Sequence, residues 1–175
     1  MPTYKRFEDL PVWKDAIRLA EKTEDFITAA KDRITWSKRD QIDRASLSVS
    51  NNIAEGFERG TTNELLQFLY IARGSAGEVR SMLCFFARRS ALKDFRSQIS
   101  DLKSLAESCS RQIRAWTDSL QNSEIKGPRH LNDKTRAQYQ SKSKAKAFEK
   151  SMMAQMPTDH PMRIQWEKAN GPAED

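Results

Sequence analysis

Asn51, Asn52, Glu55, Arg59, Arg73 and Glu78 bring amides, carboxylates and guanidinium groups into the single segment Arg39–Met82. Such groups serve either a polar ligand site or a hydrogen-bonded network that fixes two helices in register. Glu55 and Arg59 stand four apart, in the favourable order for a surface ion pair worth a few tenths of a kcal/mol. Asn52 falls on the inward stripe of its helix, where an amide left without partners costs about 1 to 3 kcal/mol. A mate on a facing helix is therefore expected, with Arg73 and Glu78 as candidates. Buried polar groups have a well-attested role in setting register, so a structural network or oligomer contact built from Asn52, Glu55, Arg73 and Glu78 is favoured over a ligand site.

Catalytic constellations are not found elsewhere. His130 and His160 stand thirty residues apart, without neighbouring Cys or carboxylates at metal-ligand spacing. There is no Gly-rich phosphate loop, nucleophile elbow or His-Glu-x-x-His run, and the helical core contains no histidine for a ferritin-like site. A non-enzymatic protein with no cofactor, metal or small-molecule substrate is expected.

Helical periodicity supplies the elements that must carry these residues. Leu65, Phe68, Ala72, Ser75, Val79, Met82 and Phe86 follow steps of three and four, widened by Leu69, Ala76 and Leu83. Phe95, Ile99, Leu102, Ala106, Cys109, Ile113, Trp116 and Leu120 repeat the pattern. Two earlier helices are marked by Trp13, Ala16, Ala20, Thr23, Ile27 and Ala30, and by Ile42, Ala45, Val49, Asn52 and Gly56. Thr61 with Glu64 forms a capping box before the third helix, and Ser37 with Asp40 a weaker one before the second. Short connections force neighbouring helices antiparallel, so the expected fold class is all-α: an antiparallel up-down-up-down four-helix bundle within residues 1–122, followed by a basic C-terminal extension. On the second and third helices Gly56, Gly74, Ser75, Ala76 and Gly77 are expected to let the axes approach closely. Cys84 and Cys109 read as small buried hydrophobes in a reducing compartment.

Charge gathers beyond Asn122. Residues 123–150 hold eight Lys or Arg, at 126, 129, 134, 136, 142, 144, 146 and 150, against three acids. The tail 123–175 reads as largely irregular and ordered by a partner, although Ala145, Phe148 and Met152 can line one side of a short helix. No run approaches the roughly 18 apolar residues of a membrane span, and the first residues lack the apolar core of a secretory signal, so a cytoplasmic protein without membrane contact is expected.

The opening Phe7, Asp9, Leu10, Val12 and Trp13, the run Asn52–Gly56, and the run Ala72–Ser75 with Glu78 resemble the four-helix-bundle protein family of bacterial ribosomal RNA intervening sequences. The related accessory variability determinant of diversity-generating retroelements is similar in fold. This resemblance covers about residues 4–120 and none of the basic tail. It implies a bacterial homo-oligomer, commonly a pentamer, that binds nucleic acid through a basic surface and in the retroelement branch also binds a reverse transcriptase.

With a net charge of +6 and an isoelectric point near 9.4, the sequence itself points to RNA or DNA as partner. The candidate contacts are Arg39, Arg44, Arg59, Arg80, Arg88 and Arg89 on the helices, with Lys126, Arg129, Lys134, Arg136, Lys142, Lys144, Lys146 and Lys150 in the tail. The alternative is a protein–protein scaffold whose tail docks through Phe148, Met152 and Trp166, with charge serving solubility.

Overall fold

The computed structural model describes residues 4–122 and 133–172. All regular structure in them is helical. The chain divides into two compact units, Met1–Arg129 and His130–Asp175.

In the first unit a short 3-10 turn at Phe7–Asp9 leads into α1 (Pro11–Ala29), which has proline at its start, where a missing N–H costs nothing. α2 spans Trp36–Glu58, α3 Thr62–Ala87 and α4 Arg96–Gln121, with a 3-10 segment, Ser90–Phe95, before α4. Thr61 caps α3 as expected: its Oγ1 accepts from the Glu64 amide at 3.2 Å and donates to the Glu64 carboxylate at 2.8 Å. At α2 the expectation fails, because the N-cap is Thr35, whose hydroxyl accepts from Lys38 Nζ at 3.1 Å rather than from a helix amide, and Ser37 already lies inside the helix. The buried Ile34 just before it anchors the entry instead.

α1 packs on α2 and α4, and α3 packs on the same two helices. Contacts between α2 and α3 pair early with late residues: Lys38 with Phe85, Gln41 with Glu78, Ser48 with Ser75, and Gly56 with Phe68. These two helices therefore run in opposite directions. The same holds for α3 and α4, where Tyr70 meets Gln121 and Arg80 meets Glu107. Leu19, Phe26, Ile42, Val49, Ile53, Leu69, Val79, Leu83, Phe86, Leu102 and Ile113 form the apolar centre. On α3 the fully buried line is Leu65, Leu69, Ala72, Ala76, Val79, Leu83 and Phe86, so Phe68, Ser75 and Met82 flank the stripe rather than lead it.

The second unit corrects the expectation of an irregular tail. It contains α5 (Asp133–Ala154) and α6 (Pro161–Asn170). Arg163 is buried between them, donating from Nη1 to the carbonyls of Met156 at 2.7 Å and Ala154 at 3.3 Å, while its Nε meets Glu167 at 2.9 Å. The Trp166 indole donates to Glu149 at 3.0 Å, a second tie from α6 to α5. His160 caps α6 by accepting from the Met162 amide, and Gly171 closes the helix at a φ of 84°, a left-handed conformation that glycine adopts freely.

Candidate nucleic-acid interface

At the end of the first unit where α1 and α3 stop and α2 and α4 begin, a run of aromatic rings reaches from solvent into the core. Phe85 is 44% exposed; its ring centroid lies 5.8 Å from that of Phe86, which in turn lies 5.9 Å from Phe26, and Phe26 lies 5.9 Å from Phe95. Cations sit on the rings at both ends of this run. Lys38 Nζ is 6.0 Å and Arg89 Cζ 5.8 Å from the Phe85 centroid, while Arg33 Cζ is 5.5 Å from that of Phe95. A single exposed cation–π contact contributes about 0.5 to 1 kcal/mol, so Phe85 positions Lys38 and Arg89 without neutralising them.

The charges differ in how far they are committed. Arg33 is engaged with Asp94 at 2.7 Å and the Ala91 carbonyl at 3.1 Å, and this bond holds the exposed Asp94 carboxyl below its ordinary range. Arg88 and Arg89 are exposed beyond the last turn of α3 and form no ion pair with the described residues. Among the described residues Arg39 also has no ion-pair partner, and its buried Nε has no hydrogen-bond acceptor. Thus the candidate contacts Arg39, Arg88 and Arg89 come to the same end as Lys38, on elements held by the aromatic core.

The other candidate arginines are elsewhere or already paired. Arg44 meets Asp40 at 2.9 Å. Arg59 meets Glu55 at 2.7 Å and covers Phe68 at the opposite end of α2. Arg80 is 3.8 Å from Glu107 partway along α3, and its buried Nε has no acceptor. On α5, Lys142, Lys144 and Lys146 are exposed and Lys150 is half-buried; Lys134 and Arg136 fall on the same helix, while Lys126 and Arg129 lie outside the described residues.

The polar network takes a different path from the expected one. Asn52 donates to the carbonyl of Ser48 at 2.7 Å and to its hydroxyl at 3.0 Å, and the Ser48 hydroxyl meets that of Ser75 at 2.9 Å. The cross-helix tie is thus Ser48 to Ser75, with Asn52 supporting it from within α2. Neither Arg73 nor Glu78 reaches Asn52; Glu78 instead accepts from Gln41, and Glu55 is spent on Arg59.

The glycines also divide. Gly56 faces α3, whereas Gly74 and Gly77 face open space on the outer side of α3, near the exposed Tyr70 and Ile71. Cys109 is buried, and burial pushes its thiol up to about 12; Cys84 is exposed, contrary to expectation, because it sits one position beyond the buried Leu83. Trp36 and Phe85 escaped the sequence reading. Both are aromatic residues off an apolar stripe with a Lys or Arg two to four positions away, which is the signal that marks them.

The model of the family described as 23S rRNA-intervening sequence protein matches residues 8–115. The chain belongs to that family. Among solved structures, a protein of unknown function from the S23 ribosomal protein family of Bacteroides thetaiotaomicron is similar in fold, with a TM-score of 0.56 and 17% identity over 61% of this chain and 97% of that one. No curated protein matches. The 23S rRNA-intervening sequence protein match ends within α4, so Phe85, Lys38, Arg88 and Arg89 fall inside it and α5 and α6 outside.

Among the described residues, no helix is long and apolar enough to cross a membrane, and no group of His, Cys, Asp and Glu is placed to hold a metal ion.

Proposed function

We propose that this protein is a non-enzymatic, cytoplasmic nucleic-acid-binding adaptor that grips a single strand of RNA or DNA at its basic aromatic end. The observation that carries this is Phe85, an exposed ring shared by Lys38 and Arg89 with Arg88 beside it. Proteins that hold single strands combine aromatic faces for bases with unpaired cations for phosphates, and this end offers both on rigid helix termini. The family's description, which names the intervening sequence of 23S rRNA, favours RNA. The packing of α1 and α3 each on α2 and α4 supports an antiparallel up-down-up-down four-helix bundle followed by a basic extension.

Self-association into a ring, which the resemblance implies as a pentamer, is supported by the outer side of α2 and α3, where Leu47, Tyr70 and Ile71 stay exposed. Repeating the cationic end around a ring would raise affinity by avidity. A reverse transcriptase is the protein partner that the likeness to the accessory variability determinant implies. A second reading, a protein scaffold, is favoured by Phe148, which is 72% exposed on α5.

The test is a fluorescence anisotropy titration of a labelled single-stranded RNA. Replacing both Arg88 and Arg89 by Ala is expected to weaken binding at least about tenfold, since two phosphate contacts and their counterion release are lost. Unchanged affinity would reject this end as the interface. Light scattering of the purified protein tests the ring, which a monomer would exclude.

A further inference from the structure

On the α1 side of α2, at this same end of the first unit, lies an open cleft of about 240 Å³ between the end of α1 and the start of α2, lined by Ile27, Thr28, Trp36, Arg39, Asp40 and Asp43. Drug-sized ligands occupy pockets of roughly 300 to 1,000 Å³, so this cleft suits something smaller, such as one planar ring system. Trp36 is 72% exposed, more than any other large hydrophobic side chain among the described residues of the first unit. An indole at the first position of a helix, held out of the core, loses burial energy without any compensating packing.

The polar lining narrows the guest by chemistry. Asp40 is occupied by Arg44, but the Asp43 carboxylate has no partner among the described residues, and Arg39 has neither an ion pair nor an acceptor for its Nε. A cationic guest would stack on Trp36 but meet Arg39; a bare anion would find Arg39 but meet Asp40 and Asp43. A neutral planar ring with donors and acceptors on its edge satisfies all three groups. Nucleobases have this character, and those with an exocyclic amino group supply the donors a carboxylate needs.

We infer that the cleft is a nucleobase subsite, in which one base of a bound single strand stacks on Trp36 with its edge toward Arg39 and Asp43. It rests on the nucleic-acid reading above and adds to it a base-dependent contact separate from the cations. Stacking of a base on an aromatic side chain is sequence-tolerant and lost on truncation to alanine.

The test compares two labelled strands of equal length with the full-length protein, one guanine-containing and one abasic. Trp36→Ala is expected to weaken binding of the base-bearing strand by between about 5-fold and 150-fold, with Trp36→Phe retaining most of the affinity and the abasic strand unaffected by either change. Equal losses on both strands, or none on either, would overturn the base subsite while leaving the cationic interface standing. Wild-type protein that binds neither strand removes both. Trp36-dependent binding of an arginine-rich peptide, without loss on the strand, would assign the cleft to a protein partner and overturn the proposal.

Discussion

A methyl group added at Gly56 would stand 2.8 Å from the Phe68 Cβ and 3.2 Å from Leu65 Cδ1. Those atoms belong to the first turns of α3, so the tight connection through Gly60 is possible only because the last turn of α2 has no side chain there. Gly56→Ala is expected to destabilise the first unit by about 1 to 3 kcal/mol through overpacking, despite its better helix propensity. Gly74→Ala, facing open space, is expected to stabilise it by up to about 1 kcal/mol. Urea unfolding of the two variants checks the opposite signs.

Thiol reactivity separates the two cysteines. Ellman's reagent is expected to titrate one thiol, Cys84, in the native protein at pH 8 and two after denaturation, and Cys84→Ser to leave the native protein unreactive. Burial raises the folded pKa of Cys109 to about 12, above its unfolded value. Its contribution to stability is thus full below about pH 8.5 and declines as pH rises toward the folded value. Alkaline unfolding shifted to higher pH in Cys109→Ala, apart from the loss due to the smaller side chain, checks the sign.

The Arg33–Asp94 pair fastens the connection before α4 to the connection between α1 and α2. Because the folded Asp94 pKa is depressed, its contribution is present above the ordinary carboxylate range and is lost as pH falls through the folded value. In Arg33→Met the Asp94 carboxyl is expected to titrate closer to its ordinary value. Side-chain carboxyl shifts followed by NMR read this directly, and an unmoved titration would mean that another group holds Asp94.

Arg163 orders the second unit by satisfying carbonyls at the end of α5 and just beyond it. Truncating one partner of a buried charged network costs about 3 to 5 kcal/mol. Arg163→Ala is therefore expected to remove amide-exchange protection from α5 and α6, while protection in α2 and α3 is retained.

The helices and the Thr61 cap were legible in the sequence because period and capping are local properties. Partner choice was not. Asn52 is expected to bond a mate on a facing helix, but Ser48, one turn back on α2, accepts from it through both carbonyl and hydroxyl, and no periodicity distinguishes that from a partner on α3. Similarly, three glycines near one helix contact looked alike, whereas the helix rotation set by Leu69, Ala76 and Leu83 turns Gly74 and Gly77 outward. The tail's helices escaped because their low apolar content gives little amphipathic signal; a buried arginine takes the place of a hydrophobic seam. Of the candidate interface, the arginines were visible as charge, but their gathering depends on α2 and α3 running in opposite directions, which puts Lys38 over Phe85.

The most direct measurement is the salt dependence of single-strand binding by the wild-type protein and by a Lys38→Ala, Arg89→Ala variant. Six phosphate contacts to a single strand give log K a slope near −4 against log salt, and removing two of them is expected to flatten it by about 1.4. An affinity insensitive to salt, or a slope that the variant leaves unchanged, would contradict a phosphate grip at the Phe85 end.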